Sequence, residues 1–105
     1  MSEPRARKTH ELRCWPTFFN YTFHGFKKFE LRRNDRDFQV GDHLLLKEWD
    51  PDMTLHAGDS TAKRYTGREV LVRVDYIMPA AVLDAMVDRG SYPLGFVIMS
   101  TSHVK

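Results

Sequence analysis

Apolar and polar positions along the chain fall into segments of two kinds, one repeating every two residues and one at helical spacing. Between His10 and Trp15, Leu12 and Cys14 alternate with Glu11 and Arg13, the period of a strand with one buried face. Pro16 stops that strand and suits the first turn of a helix, and Gly25 suits the position just past the last turn, so Pro16 to His24 is expected to be helical. Trp15, Phe18, Phe19, Thr22 and Phe23 share one arc of it, expected to be core, with Thr17, Asn20 and His24 opposite and Tyr21 at the border. Phe29 and Leu31 then alternate with Lys28, Glu30 and Arg32. A strand here is expected to turn the apolar pair to the core and the charged trio to the other face.

Asn34, Asp35 and Asp37 mark a turn and Gly41-Asp42 another, with Phe38 and Val40 between them expected to cover the sheet. His43 to Trp49, with Leu44-Leu45-Leu46 at its centre, reads as a strand buried on both faces or passing through a core. Residues 50–67 are too polar for a core element and too long for a hairpin turn, and are expected to be a mobile surface excursion. Arg68 to Ile77 alternates well, with Val70, Val72, Val74 and Tyr76 on one parity and Leu71, Arg73, Asp75 and Ile77 on the other. It is expected to pair antiparallel with His43 to Trp49. Pro79 opens a second helix whose apolar stripe is Val82, Leu83, Met86 and Val87 and whose end is Gly90. A loop over Ser91 to Gly95 leads to a last strand, Phe96 to Thr101, which closes the sheet against an earlier one.

The order strand, helix, strand, two long strands, helix and strand predicts an α+β fold, a small bent barrel of about five to six strands flanked by two helices. With 105 residues the chain has room for a single domain, residues 9–105, preceded by a flexible basic arm at 1–8 that carries Arg5, Arg7 and Lys8. Hydrophobic residues at 42% and charged residues at 29% fit a folded globular chain. No apolar run approaches the roughly 20 residues of a membrane-spanning helix and no signal-peptide pattern opens the chain, so a cytoplasmic setting is expected. Cys14 is the single cysteine, which excludes an internal disulfide, and its apolar neighbours predict a buried, inert thiol. The histidines at 10, 24, 43, 56 and 103 lack the i, i+4 spacing of a helical metal site, so no metal or cofactor is expected. A net charge of +2 does not announce a nucleic-acid binder, yet Lys27, Lys28, Arg32, Arg33 and Arg36 cluster against only Glu30 and Asp35.

The order Gly-x-Lys-x-x-Glu-x-Arg, formed by Gly25, Lys27, Glu30 and Arg32, resembles the signature of ASCH domains, relatives of the PUA RNA-binding fold. The run Glu30 to Asp42 and the stretch Lys47-Glu48-Trp49-Asp50 look like a small ASCH-like branch found in bacteria and phages. The resemblance implies a PUA-like β-barrel with helices beside a central cleft. It also frames the expected function, which is binding of single-stranded RNA or a modified nucleotide. Lys27, Lys28, Arg32 and Arg33 are the candidates for phosphate contacts, Tyr21 and Trp49 for base stacking, and Glu30 for accepting from an exocyclic amine.

Two further expectations come from the same family. Some ASCH-like proteins remove an acyl group from the exocyclic nitrogen of a modified cytidine with a lysine, matched by Lys27, and a threonine three positions later, where this chain has Glu30. Others look like metal-independent ribonucleases with a tyrosine six residues before the lysine, matched by Tyr21, and a serine in the last strand, for which Ser100 and Ser102 are candidates. Catalytic candidates are therefore Lys27, Glu30 and Tyr21. The 50–67 excursion is a candidate for contacts with a protein partner.

Overall fold

A computed structural model describes residues 6–56, 58–78 and 95–105, the side chains of residues 61 and 62 excepted. The elements in chain order are β1 (Thr9–Cys14), α1 (Pro16–Phe23), β2 (Phe29–Arg33), β3 (His43–Trp49), a 3₁₀ turn (Thr61–Arg64), β4 (Tyr65–Ile77) and β5 (Phe96–His103). The expected second helix over Pro79 to Gly90 and the loop at 91–94 lie outside the described residues.

All five strands belong to one sheet in the order β1-β3-β4-β5-β2. β1 and β3 are parallel, and the other neighbours are antiparallel, including the expected pairing of β3 with β4. The last strand closes the arrangement by lying between β4 and β2. The sheet curls far enough for arginines of the β2 side to reach carbonyls of β1, the strand at its opposite edge. The result is the expected α+β small barrel, open along one seam between β1 and β2.

The concave face holds the core. Leu12 and Cys14 from β1, Leu44 and Leu46 from β3, Val72 and Val74 from β4, and Val97 and Met99 from β5 are buried together, with Phe19 of α1 and Phe38 as lids. β3 alternates fully buried and half-buried positions, so one of its faces makes the core and the other is only partly covered. Phe38 covers the barrel as expected, whereas Val40 is exposed.

Three expectations about these elements are corrected. First, β4 begins at Tyr65 rather than Arg68, since Tyr65 already pairs with Trp49, and the polar excursion shortens to residues 50–64 with a 3₁₀ turn inside it. Second, the register between β4 and β5 shifts between Val74 and Tyr76. A bulge there passes the core-facing parity from one residue to the next, leaving Tyr76 exposed and packing Ile77 against the core. Third, only Phe19 and Thr22 of the helical arc are buried, while Trp15, Phe18 and Phe23 stand out from the surface. α1 touches the sheet along a narrow line, and about half the surface of Trp15 and Phe18 stays exposed.

Local chemistry fixes the corners. Gly25 adopts φ +82°, its N–H donates to the Thr22 carbonyl (3.0 Å) and the Phe26 N–H donates to the Tyr21 carbonyl (2.9 Å). That pair of bonds is the Schellman ending, which needs a left-handed residue. Arg68 pins the helix to β4: its guanidinium lies over Phe19 (5.0 Å) and Phe23 (4.9 Å) and donates to Asn20 Oδ1 (3.2 Å). At the other end of the barrel the buried Asp42 carboxylate accepts from His10 Nε2 (2.8 Å) and from the N–H groups of Lys8 and Gln39 (both 3.1 Å). Lys8 is thereby tied to the domain, and its carbonyl accepts from the His43 N–H (2.9 Å).

Candidate functional site

The charged strand β2 has the opposite facing to that expected. Glu30 is 3% exposed, whereas Phe29 is 50% and Leu31 41% exposed. The cause is register. Glu30 pairs with Met99 of β5, and Met99 faces the core, so Glu30 must share that face. An alternation of apolar and charged residues cannot by itself say which set is inside, and here neighbouring strands decide against hydropathy.

A carboxylate placed there needs partners, since an unpaired buried charge is costly. It has two. Lys27 Nζ donates to Glu30 Oε1 (2.8 Å) and Arg32 Nε donates to Glu30 Oε2 (3.0 Å). Lys27 also donates to the Phe29 carbonyl (2.8 Å) and sits 4.9 Å from the Phe29 ring centre. Both terminal nitrogens of Arg32 donate to the Arg13 carbonyl (3.2 Å each), across the seam from β2 to β1. Arg36 does the same one step along, donating to the Glu11 carbonyl (2.7 Å). The arginines take the place of a missing ladder. They satisfy the edge carbonyls of β1 that a closed barrel would pair with backbone N–H groups.

Between these edges lies a cleft of about 570 Å³, lined by Arg13, Cys14, Trp15, Phe18, Lys27, Phe29, Glu30, Leu31 and Arg32. Its walls are aromatic and aliphatic, and three cations face one carboxylate. Burial pushes the Cys14 thiol up to about 11, with the Glu30 charge adding to the effect and Arg32 and Lys27 opposing it. This matches the expectation of a buried, inert thiol. A second buried carboxylate, Glu48, stands opposite Cys14 in the β1–β3 register, where it accepts from Thr66 Oγ1 (2.6 Å) with Arg68 at 3.7 Å.

The structure thus gathers Lys27, Glu30 and Arg32 in one network at the cleft. The other candidates are elsewhere. Tyr21, Ser100 and Ser102 do not line it. Tyr21 contributes its carbonyl, which accepts from the Lys27 N–H (3.0 Å) and so sets the corner from which that lysine enters. Trp49 is occupied by Arg13, 4.7 Å from the ring centre, and Arg64, 6.0 Å away. Lys28 and Arg33 flank the network as exposed side chains without an ion pair among the described residues. Trp15, Phe18, Phe29 and Arg13 were not candidates, and their role follows from the strand register and from the narrow seat of α1. No group of three metal-ligating side chains occurs among the described residues, and none of the described helices is long and apolar enough to cross a membrane.

Fold and site define a small α+β half-barrel with an aromatic-walled, cationic cleft at its seam. Residues 9–90 match the family described as "Domain of unknown function (DUF3850)", and the chain belongs to that family. It is also similar, at 31% identity over 67 residues, to an uncharacterized 12.9 kDa protein in the GpA 3′ region of Escherichia phage P2. That match covers 64% of this chain and 51% of the phage protein, so the chain spans about half the length of the curated relative it matches.

Proposed function

We propose that the protein is an ASCH-like, PUA-related module that binds single-stranded RNA, or a nucleotide-like ligand, with one base in the seam cleft. The observation that carries this is the composition of the cleft: flat apolar walls from Trp15, Phe18 and Phe29, with Lys27, Arg13 and Arg32 beside them. A base is a flat π-system that stacks on such walls at about 1–3 kcal/mol per base, and its phosphates need cations within reach. Lys27 uses two of its three ammonium hydrogens inside the protein, which leaves one for a ligand. The exposed Lys28 and Arg33 extend the positive surface along the phosphate path.

Hydrolysis is the weaker reading. A general base must reach water or a hydroxyl, and Glu30 is buried with its two oxygens turned to Lys27 and Arg32. Glu30 at the position of the threonine nucleophile also removes the acyl-transfer step that the resemblance suggested.

The test is a fluorescence-anisotropy titration of short single-stranded RNA over a salt series, with the RNA recovered and sized afterwards. The reading expects intact RNA, a negative salt slope, and for Lys27→Ala an affinity about tenfold lower with the slope shallower by about 0.7. Shortened RNA, or deacylation of N4-acetylcytidine in the RNA, that is abolished by Glu30→Gln would shift the protein to the hydrolases. Absence of binding at low salt would reject the reading.

A further inference from the structure

Four consecutive residues, Phe29 to Arg32, line the cleft. Successive side chains of a strand point to opposite faces, so a cleft that meets all four runs along the strand's edge. The register says which main-chain groups lie on that edge. The Thr101 N–H donates to the Lys28 carbonyl (2.9 Å) and the Asn34 N–H to the Gly95 carbonyl (2.6 Å), one at each end of β2. In an antiparallel ladder such hydrogen-bonded pairs alternate with unbonded ones. Glu30 and Arg32, opposite Met99 and Val97, therefore direct their main-chain groups at β5. Phe29 and Leu31 direct theirs away from it, into the seam. Ile98 agrees: it stands opposite Leu31, yet its carbonyl accepts from the Met78 N–H (2.9 Å) on its other side.

Lys27 caps the Phe29 carbonyl. The Leu31 N–H and carbonyl, a donor and an acceptor side by side, are left facing the cleft. Around them the side-chain polar groups are largely spent on one another: Glu30 on Lys27 and Arg32, and Arg32 on Glu30 and the Arg13 carbonyl. Hydrogen-bond readout of anything flat in this cleft thus falls to main-chain groups of β2.

We propose that the Leu31 amide and carbonyl read the Watson–Crick edge of an unpaired nucleobase stacked in the cleft. This rests on the RNA-binding reading and adds how the base is held. Every base places a donor beside an acceptor on that edge, so the contact orients the base and requires it to be unpaired. A peptide strand could also add to this edge, but aromatic walls from α1 and β2 and three cations suit a flat anionic polymer better.

The experiment compares wild type, Leu31→Ala and Leu31→Pro against four single-stranded homopolymer pentamers. It then uses the preferred pentamer with its central base methylated on the Watson–Crick edge, at N3 of a pyrimidine or N1 of a purine. Proline is tolerable at position 31 because that N–H serves no ladder bond, and alanine keeps both main-chain groups. Leu31→Ala trims a side chain that lines the cleft while keeping both main-chain groups, so it is the reference for side-chain loss and is expected to weaken binding less than Leu31→Pro does. Leu31→Pro, and separately the edge methyl, are each expected to weaken binding about tenfold, the loss of roughly one hydrogen bond and its shape fit. If Leu31→Pro unfolds, the methylated pentamer decides alone. Binding by a folded Leu31→Pro equal to that of Leu31→Ala, or equal binding of the methylated pentamer, overturns this inference and leaves the RNA reading standing. No binding of any pentamer by wild type overturns both.

Discussion

The wall of the barrel and its seam are parts of one sheet held by different forces. Along β3 and β4 the backbone ladder is continuous but for one register shift, and Leu44, Leu46, Val72 and Val74 pack behind it with no exposed surface. Across the seam no ladder forms among the described residues. There Arg32 and Arg36 donate to two β1 carbonyls, and a buried Glu30 fixes the first of these arginines. The wall excludes water by burying apolar area, whereas the seam stays narrowly open because side chains longer than a backbone hydrogen bond span it. A barrel closed by main-chain pairing would have no cleft between these strands. The cost of openness is a buried charge network, which tolerates substitution less well for its size than an aliphatic wall does.

That contrast can be broken from either side. Leu46→Ala, in the wall, is expected to cost about 3–4 kcal/mol in chemical denaturation while leaving RNA affinity of the folded protein unchanged. Glu30→Gln, in the seam, is expected to cost roughly 3 kcal/mol, since it removes the buried charge that two half-buried cations share. Unlike the wall variant, it should also weaken RNA binding, because Lys27 and Arg32 lose their anchor. If the two variants prove indistinguishable in binding, the seam has no special role. Gly25→Ala is expected to cost about 1 kcal/mol, from the left-handed φ alone, as nothing crowds the position of an added Cβ. Arg36→Ala removes an exposed cap on the Glu11 carbonyl and a loose, exposed ion pair with Asp35 (3.9 Å), and should cost about 0.5 kcal/mol, measurable as a small drop in Tm.

The smallest effect at neutral pH comes from Cys14, protonated there in both folded and unfolded chains. Its folded value of about 11 lies above the ordinary 9.0, so the unfolded chain releases the thiol proton first as pH rises. Stability contributed by the protonated thiol is complete below pH 9 and is lost toward pH 11. Denaturation midpoints of wild type should therefore fall more steeply over that window than those of Cys14→Ala. Equal slopes would mean the thiol is not desolvated.

Much of the fold was legible because each signal was local. Pro16 and Gly25 bracket α1 through backbone constraints that any sequence shows, and the β3–β4 pairing follows from two adjacent apolar strands. The parity of β2 was not legible, since Phe29 and Leu31 look like the buried pair by hydropathy. Only the pairing of Glu30 with Met99, sixty-nine positions away, turns the carboxylate inward. The bulge at Val74 to Tyr76 likewise arises from two strands together. For the site, the Lys27, Glu30 and Arg32 network could be anticipated because the three lie within six residues. The walls Trp15 and Phe18 could not, because helical spacing marks an apolar arc without saying how much of it a partner covers.

The central claim is that the seam between β1 and β2 is where a ligand enters. It is tested most directly by following backbone amide signals while short single-stranded RNA, with and without N4-acetylcytidine, is added. The account predicts shifts concentrated on Arg13 to Phe18 and Lys27 to Arg33, with the β3–β4 wall silent and the RNA unchanged after overnight incubation. Shifts confined to residues 50–64, or none at all, would contradict it and point instead to a partner that meets the polar excursion.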